Sequence, residues 1–99
     1  MASGAAKVVR GSFLGTGALL EVRSVGFRPR SVKLLNTDGL ATAEWLEGMA
    51  DASMVKRVTA GTMTAPTTGG VTPLSDGFSI GADADMNAAD ERVYFEATE

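Results

Sequence analysis

The sequence predicts an all-β fold, an antiparallel and jelly-roll-like β-sandwich of about seven or eight short strands. Apolar residues recur at every second position wherever the chain is apolar, and Gly, Asn, Asp and Pro interrupt the pattern about every 8 to 12 residues. Helical periodicity is weak throughout, so no crossover helix is predicted that would connect parallel strands. Together these observations favour antiparallel strands joined by turns.

A chain of 99 residues with a hydrophobic content of 44% can form one packed core. We therefore predict a single β-sandwich domain over residues 7–99, preceded by a flexible N-terminal arm over residues 1–6. The apolar runs are much shorter than the ~18 residues of a membrane span. The first residues also lack the charged and apolar regions of a signal peptide. We expect a soluble chain with no membrane contact.

The first two strands are predicted over residues 7–14 and 18–25. In the second strand, Leu20 and Val22 share one face. Residues 15–17, Gly-Thr-Gly, separate the two strands, and a short glycine-rich turn between apolar runs is typical of a β-hairpin. These strands are therefore expected to pair with each other.

A rigid corner is predicted at residues 26–30, because Pro29 fixes its own φ and drives Arg28 toward an extended conformation. A third strand follows over residues 31–35. The Asp-Gly pair at 38–39 then favours a positive φ and a tight turn.

The fourth strand is predicted over residues 40–46, with Trp45 as an anchor of the core. We interpret residues 47–52 as a loop, with one helical turn as the alternative, because no β-branched residue occurs there. Strand character returns over residues 53–60. Residues 61–73 are predicted to form a connection rich in Thr, Gly and Pro. A loop of this length is unusual unless it is functional or docked against a partner.

Two further strands are predicted, one at residues 77–81 and one at residues 92–98. In the last strand, Val93 and Phe95 face one way, whereas the residue that follows each of them faces the other way. This alternation is typical of an antiparallel strand with one buried face.

The chain contains no histidine and no cysteine. Histidine is the commonest general base and transition-metal ligand, and cysteine supplies disulfides, thiolate ligands and thiol nucleophiles. Without histidine, the many serine and threonine hydroxyls lack their usual activating base. We expect no enzymatic activity and no cofactor.

One pattern resembles a metal-binding loop. In the D-x-D-x-N segment of residues 83–87, the oxygen ligands Asp83, Asp85 and Asn87 are spaced as Ca²⁺ prefers. Ala88 occupies the position where a calcium-binding helix-loop-helix needs glycine, and Tyr94 occupies the position of its bidentate glutamate. These three residues are weak metal candidates, and we expect a solvated loop.

Charge is distributed unevenly along the chain, whose net charge is −3. Residues 1–34 contain six basic residues and one acidic residue, whereas residues 35–99 contain three basic and eleven acidic residues. An acidic chain without aromatic residues among its arginines does not fit a nucleic-acid-binding surface, so we expect no nucleic-acid partner. Arg28 and Arg30 project from the predicted corner and are candidate protein-interface residues, with a solubilising role as the alternative.

Several short motifs occur in an order that resembles a β-sandwich module common in tailed bacteriophages. They are Gly-Thr-Gly at 15–17, the "GFRP" corner at 26–29, Trp45, and the segment "SDGFSIGADADMNAADERVYFEA" at 75–97. The resemblance covers residues 13–98. Its motifs are structural, and they carry no enzymatic residues.

The resemblance implies a head decoration protein, also called a cement protein, because a 99-residue chain without shaft repeats is similar to that type. Such a protein binds the outside of the capsid and stabilises contacts between subunits of the major capsid protein. It is expected to form a homo-oligomer, with a trimer favoured, and to reach the virion after synthesis in the host cytoplasm. The alternative is a receptor-binding or glycan-binding module of a phage tail fibre.

Two segments supply the remaining interface candidates. The arm is small and nearly uncharged, which suits strand addition to a neighbour's open sheet edge, and its candidate residues are Met1, Ala2, Ser3 and Gly4. In the long connection, the candidates are Pro66, Thr67 and Thr68.

Overall fold

Two antiparallel sheets form a β-sandwich in the computed structural model, which describes residues 7–59 and 61–99. The strands of this described part are β1 (Val8–Leu14), β2 (Leu20–Val22), β3 (Ser31–Asn36), β4 (Ala41–Leu46), β5 (Val55–Arg57), β6 (Met63–Thr64), β7 (Val71–Leu74), β8 (Gly77–Ile80) and β9 (Arg92–Thr98). The larger sheet has the order β1-β9-β3-β4-β5-β6, and the smaller has the order β2-β8-β7. The same residues include no helix, and so no helix that crosses a membrane. The predicted all-β class is confirmed.

The core lies between the inner faces of the two sheets. Phe78 of β8 is fully buried, and its ring packs edge-on against Phe95 and Phe13 with centroid distances of 5.3 and 6.5 Å. Trp45 is 3% exposed, and its Nε1 donates a hydrogen bond to the carbonyl of Ala50. The prediction that Trp45 anchors the core is confirmed.

Period-two alternation predicts the buried faces correctly. Along β4 every second residue is buried, and in β9 Val93 and Phe95 are buried while Tyr94 is exposed. In β2, Val22 is buried and Leu20 is half-buried, on the same face. Residues 47–52 contain turns and isolated bridges and no helical turn, as the loop interpretation expects.

The predicted hairpin between the first two strands is wrong. β1 pairs with β9 in the larger sheet, whereas β2 pairs with β8 in the smaller one. The glycines between them bind the last loop instead, because the N–H of Gly15 donates to the carbonyl of Glu91 and the N–H of Gly17 donates to that of Asn87. A Cβ on Gly15 would lie 2.0 Å from the carbonyl oxygen of Ala88. Residues 15–17 therefore carry the chain from one sheet to the other.

The connection predicted at residues 61–73 contains more structure than expected. It includes β6 and most of β7, and β7 ends the smaller sheet. Pro73 lies within β7 and pairs with Phe78 of β8. Proline is tolerated there because an edge strand needs hydrogen bonds on one side only.

The turn between β3 and β4 differs from the prediction in one respect. The positive φ falls on Leu40, at 53°, and not on Gly39. Oδ1 of Asn36 accepts hydrogen bonds from the N–H groups of Asp38 and Gly39, each at 2.9 Å. This side chain closes the turn early, which leaves the left-handed conformation to the next residue.

Candidate functional site

The D-x-D-x-N segment binds a lysine of the same chain. Nζ of Lys56, on β5, lies 2.8 Å from Oδ2 of Asp83 and 2.7 Å from Oδ2 of Asp85. Oδ1 of Asp83 accepts the N–H groups of Asp85 and Met86, which fixes the loop. The ammonium group thus occupies the place that a cation would take between these carboxylates. In the described part of the chain, no three acidic, His or Cys side chains are grouped to hold a metal ion.

Lys56 remains an ammonium ion in this setting. Burial lowers its pKa and is the largest single influence, but the hydrogen bonds and negative charges of Asp83 and Asp85 together outweigh burial and raise the pKa above its ordinary value of 10.5. A lysine with a raised pKa is a poor nucleophile at neutral pH, because its amine is protonated. The arrangement is therefore an ion-pair clamp that ties the loop before β9 to β5.

Asn87 has a structural role. It is fully buried, its Oδ1 accepts the N–H of Thr16, and its Nδ2 donates to the carbonyls of Ala18 and Gly81. These bonds use most of the capacity of an amide side chain. Asn87 thus joins the segment after β1 to the end of β8, and it does not group with the two carboxylates as a ligand.

Arg28 and Arg30 lie on either side of a buried proline and are both exposed. The guanidinium of Arg28 donates to the carbonyl of Pro73 at 3.4 Å, and that of Arg30 lies 4.0 Å from Glu47. The N–H of Arg30 donates to the carbonyl of Thr98 at the end of β9. The corner is therefore held by its backbone, while both arginines stay exposed and each guanidinium has one neighbouring acceptor of the same chain.

The other interface candidates have separate locations. Met1, Ala2, Ser3 and Gly4 lie outside the described residues, and so does the predicted arm of residues 1–6. Lys7, the first described residue, accepts a backbone hydrogen bond from Glu99 beside the end of β9. Thr67 and Thr68 are exposed between β6 and β7, and the carbonyl of Pro66 accepts the N–H of Met54.

The outer face of the larger sheet is the most extensive candidate surface. Six of the eight large hydrophobic side chains that are exposed in the described residues lie on this face, which marks it as a candidate association surface. They are Val8, Leu14, Leu35, Leu46, Met63 and Tyr94.

The strand register arranges this face into rows that cross the sheet. One row, from β1 to β6, consists of Ser12, Tyr94, Leu35, Thr42, Arg57 and Met63. The adjacent row alternates in charge across four strands, and consists of Arg10, Glu96, Lys33 and Glu44. Nε of Arg10 lies 2.8 Å from Oε2 of Glu96. A row that contains Tyr94, Leu35 and Met63 thus runs beside a row of alternating charge.

A hollow of about 720 Å³ lies over this face. Tyr94, Leu35 and Met63 contribute apolar walls, and Lys33 and Glu44 contribute charged ones. An open hollow of mixed polarity can accept a protein surface or a polar ligand.

The outer face was not among the sites predicted from the sequence. The sequence does indicate which residues point outward, because Lys33 and Leu35 on β3 alternate with buried residues, and Tyr94 and Glu96 do so on β9. The sequence does not indicate the order of the strands in the sheet, and without that order the rows across the sheet cannot be predicted. The partner of the two carboxylates was missed for the same reason, since Lys56 lies 27 positions before Asp83.

Comparison with known proteins adds no relationship: no family model, no curated protein and no solved structure matches this chain.

Proposed function

We propose that this chain is a structural virion protein that decorates the outside of a tailed-phage capsid and stabilises contacts between major capsid subunits. The order of the "GFRP" corner and the "SDGFSIG" strand, which resembles phage β-sandwich modules, supports the proposal. The site of action is the outer surface of the virion, after synthesis in the host cytoplasm.

The position of β1 is the structural observation that carries the proposal. β1 is seven residues long and ends the larger sheet, so one of its edges is unpaired within the described residues. Residues 1–6 precede this strand in the sequence, with Lys7 between them. An unpaired strand edge suits strand addition, in which main-chain hydrogen bonds join the sheets of two proteins.

The arginine corner lies on the other side of β9 from the start of β1. Lys7 and Arg30 each bond to the backbone at the end of β9, and Arg28 and Arg30 are both exposed. We assign these charges to acidic groups of the major capsid protein, at a contact separate from the added strand on the open edge of β1. A protein that binds only the mature shell stabilises that shell by mass action.

Binding to expanded, undecorated shells of the parent phage tests the proposal. The natural chain is expected to co-sediment with shells until its sites are saturated. The double variant Arg28→Glu with Arg30→Glu is expected to reduce occupancy at least about tenfold, since like charges then meet acidic groups. Arg57→Glu is the control, because it makes the same type of substitution once, on β5 and away from the corner, with half the change in net charge.

Two outcomes contradict the proposal or part of it. Absence of binding by the natural chain eliminates capsid decoration. Full occupancy by a chain that lacks residues 1–6 eliminates the role of the arm in strand addition, and leaves the arginine corner as the contact.

The hollow on the larger sheet favours glycan binding by a tail-fibre module as a second candidate function. Tyr94 is an exposed aromatic surface, and Glu44 and Glu96 offer hydrogen-bond acceptors beside it. Saturable binding of host polysaccharide that Tyr94→Ser abolishes would support this function. Binding that survives the substitution would exclude this site.

A further inference from the structure

The outer face of the larger sheet is complementary to itself. Across β1, β9, β3 and β4, the charged row reads positive, negative, positive, negative, in the order Arg10, Glu96, Lys33, Glu44. When a second copy is turned to face the first, its row reads in the reverse order, negative, positive, negative, positive. Each charge can then lie opposite a charge of the other sign. This property concerns the outer face of the sheet, whereas the proposed capsid contacts use the open edge of β1 and the arginine corner.

We propose that two copies of this chain associate face to face through this surface, about a two-fold axis that runs parallel to the strands between β9 and β3. The rotation places β9 opposite β3 of the second copy, and β1 opposite β4. Lys33 then meets the partner's Glu96, and Arg10 meets the partner's Glu44. Symmetry makes each of these opposite-charge contacts twice.

The rows on either side match under the same rotation. Tyr94 meets the partner's Leu35, and both side chains are about half exposed in the single chain, at 49% and 44%. On the other side of the charged row, Val8 meets the partner's Leu46. Their burial supplies the apolar part of the interface. Apolar groups thus meet apolar groups in both flanking rows.

Polar residues of these rows also meet polar residues. Ser12 lies opposite the partner's Thr42, and Thr98 lies opposite the partner's Ser31. Hydroxyl groups can act as both donor and acceptor, so these contacts need no charge.

Other positions of the axis do not give this match. An axis perpendicular to the strands at the charged row places Lys33 against the partner's Lys33. An axis between β3 and β4 pairs Lys33 with the partner's Glu44, but it places Glu96 against the partner's Val55. It also places β1 opposite the partner's β6, which ends one residue short of the row of Arg10. Sheets that pack in an aligned manner have their strands about 30° apart, which an axis parallel to the strands permits.

Mixing two charge variants tests the proposal. Lys33→Glu alone places acid against acid across the axis, and Glu96→Lys alone places base against base. Each variant by itself is expected to dimerise roughly 100-fold more weakly than the natural chain, since opposing like charges cost several kcal/mol. An equimolar mixture of the two variants restores both opposite-charge contacts, so a heterodimer of twice 10.2 kDa is expected by sedimentation velocity.

The mixture separates association from folding. Lys33 and Glu96 are also neighbours within one chain, but a change inside a chain cannot be repaired by adding another chain. Arg57→Glu is the matched control, because β5 lies opposite no strand of the partner in this arrangement and dimerisation should be retained. A monomeric natural chain, a trimeric mass, or a mixture that remains monomeric overturns the proposal.

Discussion

The two faces of the six-stranded sheet use the same strands for different purposes. On β3, Val32 and Leu34 point inward and are at most 3% exposed, whereas Lys33 and Leu35 point outward. Leu34 and Leu35 are the same residue type at consecutive positions, yet only one of them belongs to the core. The comparison shows that the position of a leucine in the pleat, and not its hydrophobicity, decides whether it contributes to folding or is available for association.

The largest expected effect comes from truncating these two leucines separately. Leu34→Ala removes a buried side chain and leaves a cavity, and it is expected to lower the free energy of unfolding by about 3 kcal/mol. Leu35→Ala is expected to cost less than about 0.5 kcal/mol in the monomer, because its side chain is 44% exposed. Urea unfolding at low protein concentration measures both values, and equal losses would contradict the assignment of the faces.

A smaller effect is expected at Asn36, the last residue of β3, whose side chain points to the inner face of the sheet. Asn36 is fully buried, and its Nδ2 donates to the carbonyl of Asp85 and to Oε1 of Glu91, each bond joining β3 to the loop before β9. Asn36→Ala leaves these acceptors, and the turn N–H groups of Asp38 and Gly39, without their partner. The expected loss in urea unfolding is about 2 kcal/mol.

The matched variant Asn36→Asp keeps the shape of this side chain. It retains the acceptor for the turn but removes the Nδ2 donor and places a second carboxylate beside Glu91. It is expected to be destabilised as well at neutral pH. If Asn36→Asp were as stable as the natural chain, the donor bonds to the last loop would contribute nothing.

These positions also show what the sequence can and cannot predict. The faces of β4 and β9 follow from alternation, because burial at every second residue is a local property of one strand. The Asp-Gly pair predicts the place of the turn after Asn36, but the positive φ falls on Leu40 and not on Gly39, because the Asn36 side chain bonds to the turn.

Pairing between distant strands could not be predicted in the same way. β1 and β9 lie at opposite ends of the chain, and a period of two is the same whichever strand is the neighbour. The hairpin prediction failed because Gly15 and Gly17 bond to the last loop, a contact that no local pattern announces. The same holds for the clamp between Lys56 and its two carboxylates, and for every row of the outer face.

The next largest effect is expected at Lys56, whose charged group lies on the inner side of β5 at the edge of the core. Lys56→Met is expected to lose about 1 kcal/mol at neutral pH, because it removes the cation between Asp83 and Asp85. Lys7→Met, at an exposed lysine outside this clamp, is the control and should change little.

The pH dependence of this difference has a defined sign. Folding raises the pKa of Lys56, so its stabilising contribution is complete below the ordinary value of 10.5 and is lost as the pH rises through the higher folded value. The natural chain and Lys56→Met should therefore converge in stability above that value. A difference that stays constant at high pH would show that packing of the lysine stem, and not its charge, stabilises the loop.

The smallest expected effect is a gain in stability, and it lies in the turn that carries the chain from β3 to β4. Leu40 has a φ of 53°, a backbone conformation that is strained for a residue with a Cβ. Its side chain is 64% exposed, so burial offsets little of this strain. Leu40→Gly is expected to add about 0.5 kcal/mol, since relief of the strain exceeds the entropy that glycine adds to the unfolded chain. Thermal unfolding measures the change. Leu19→Gly is the matched control, because Leu19 is 68% exposed without a positive φ and should only lose stability. A loss at both positions would mean that the side chain of Leu40 stabilises the turn through contacts despite its exposure.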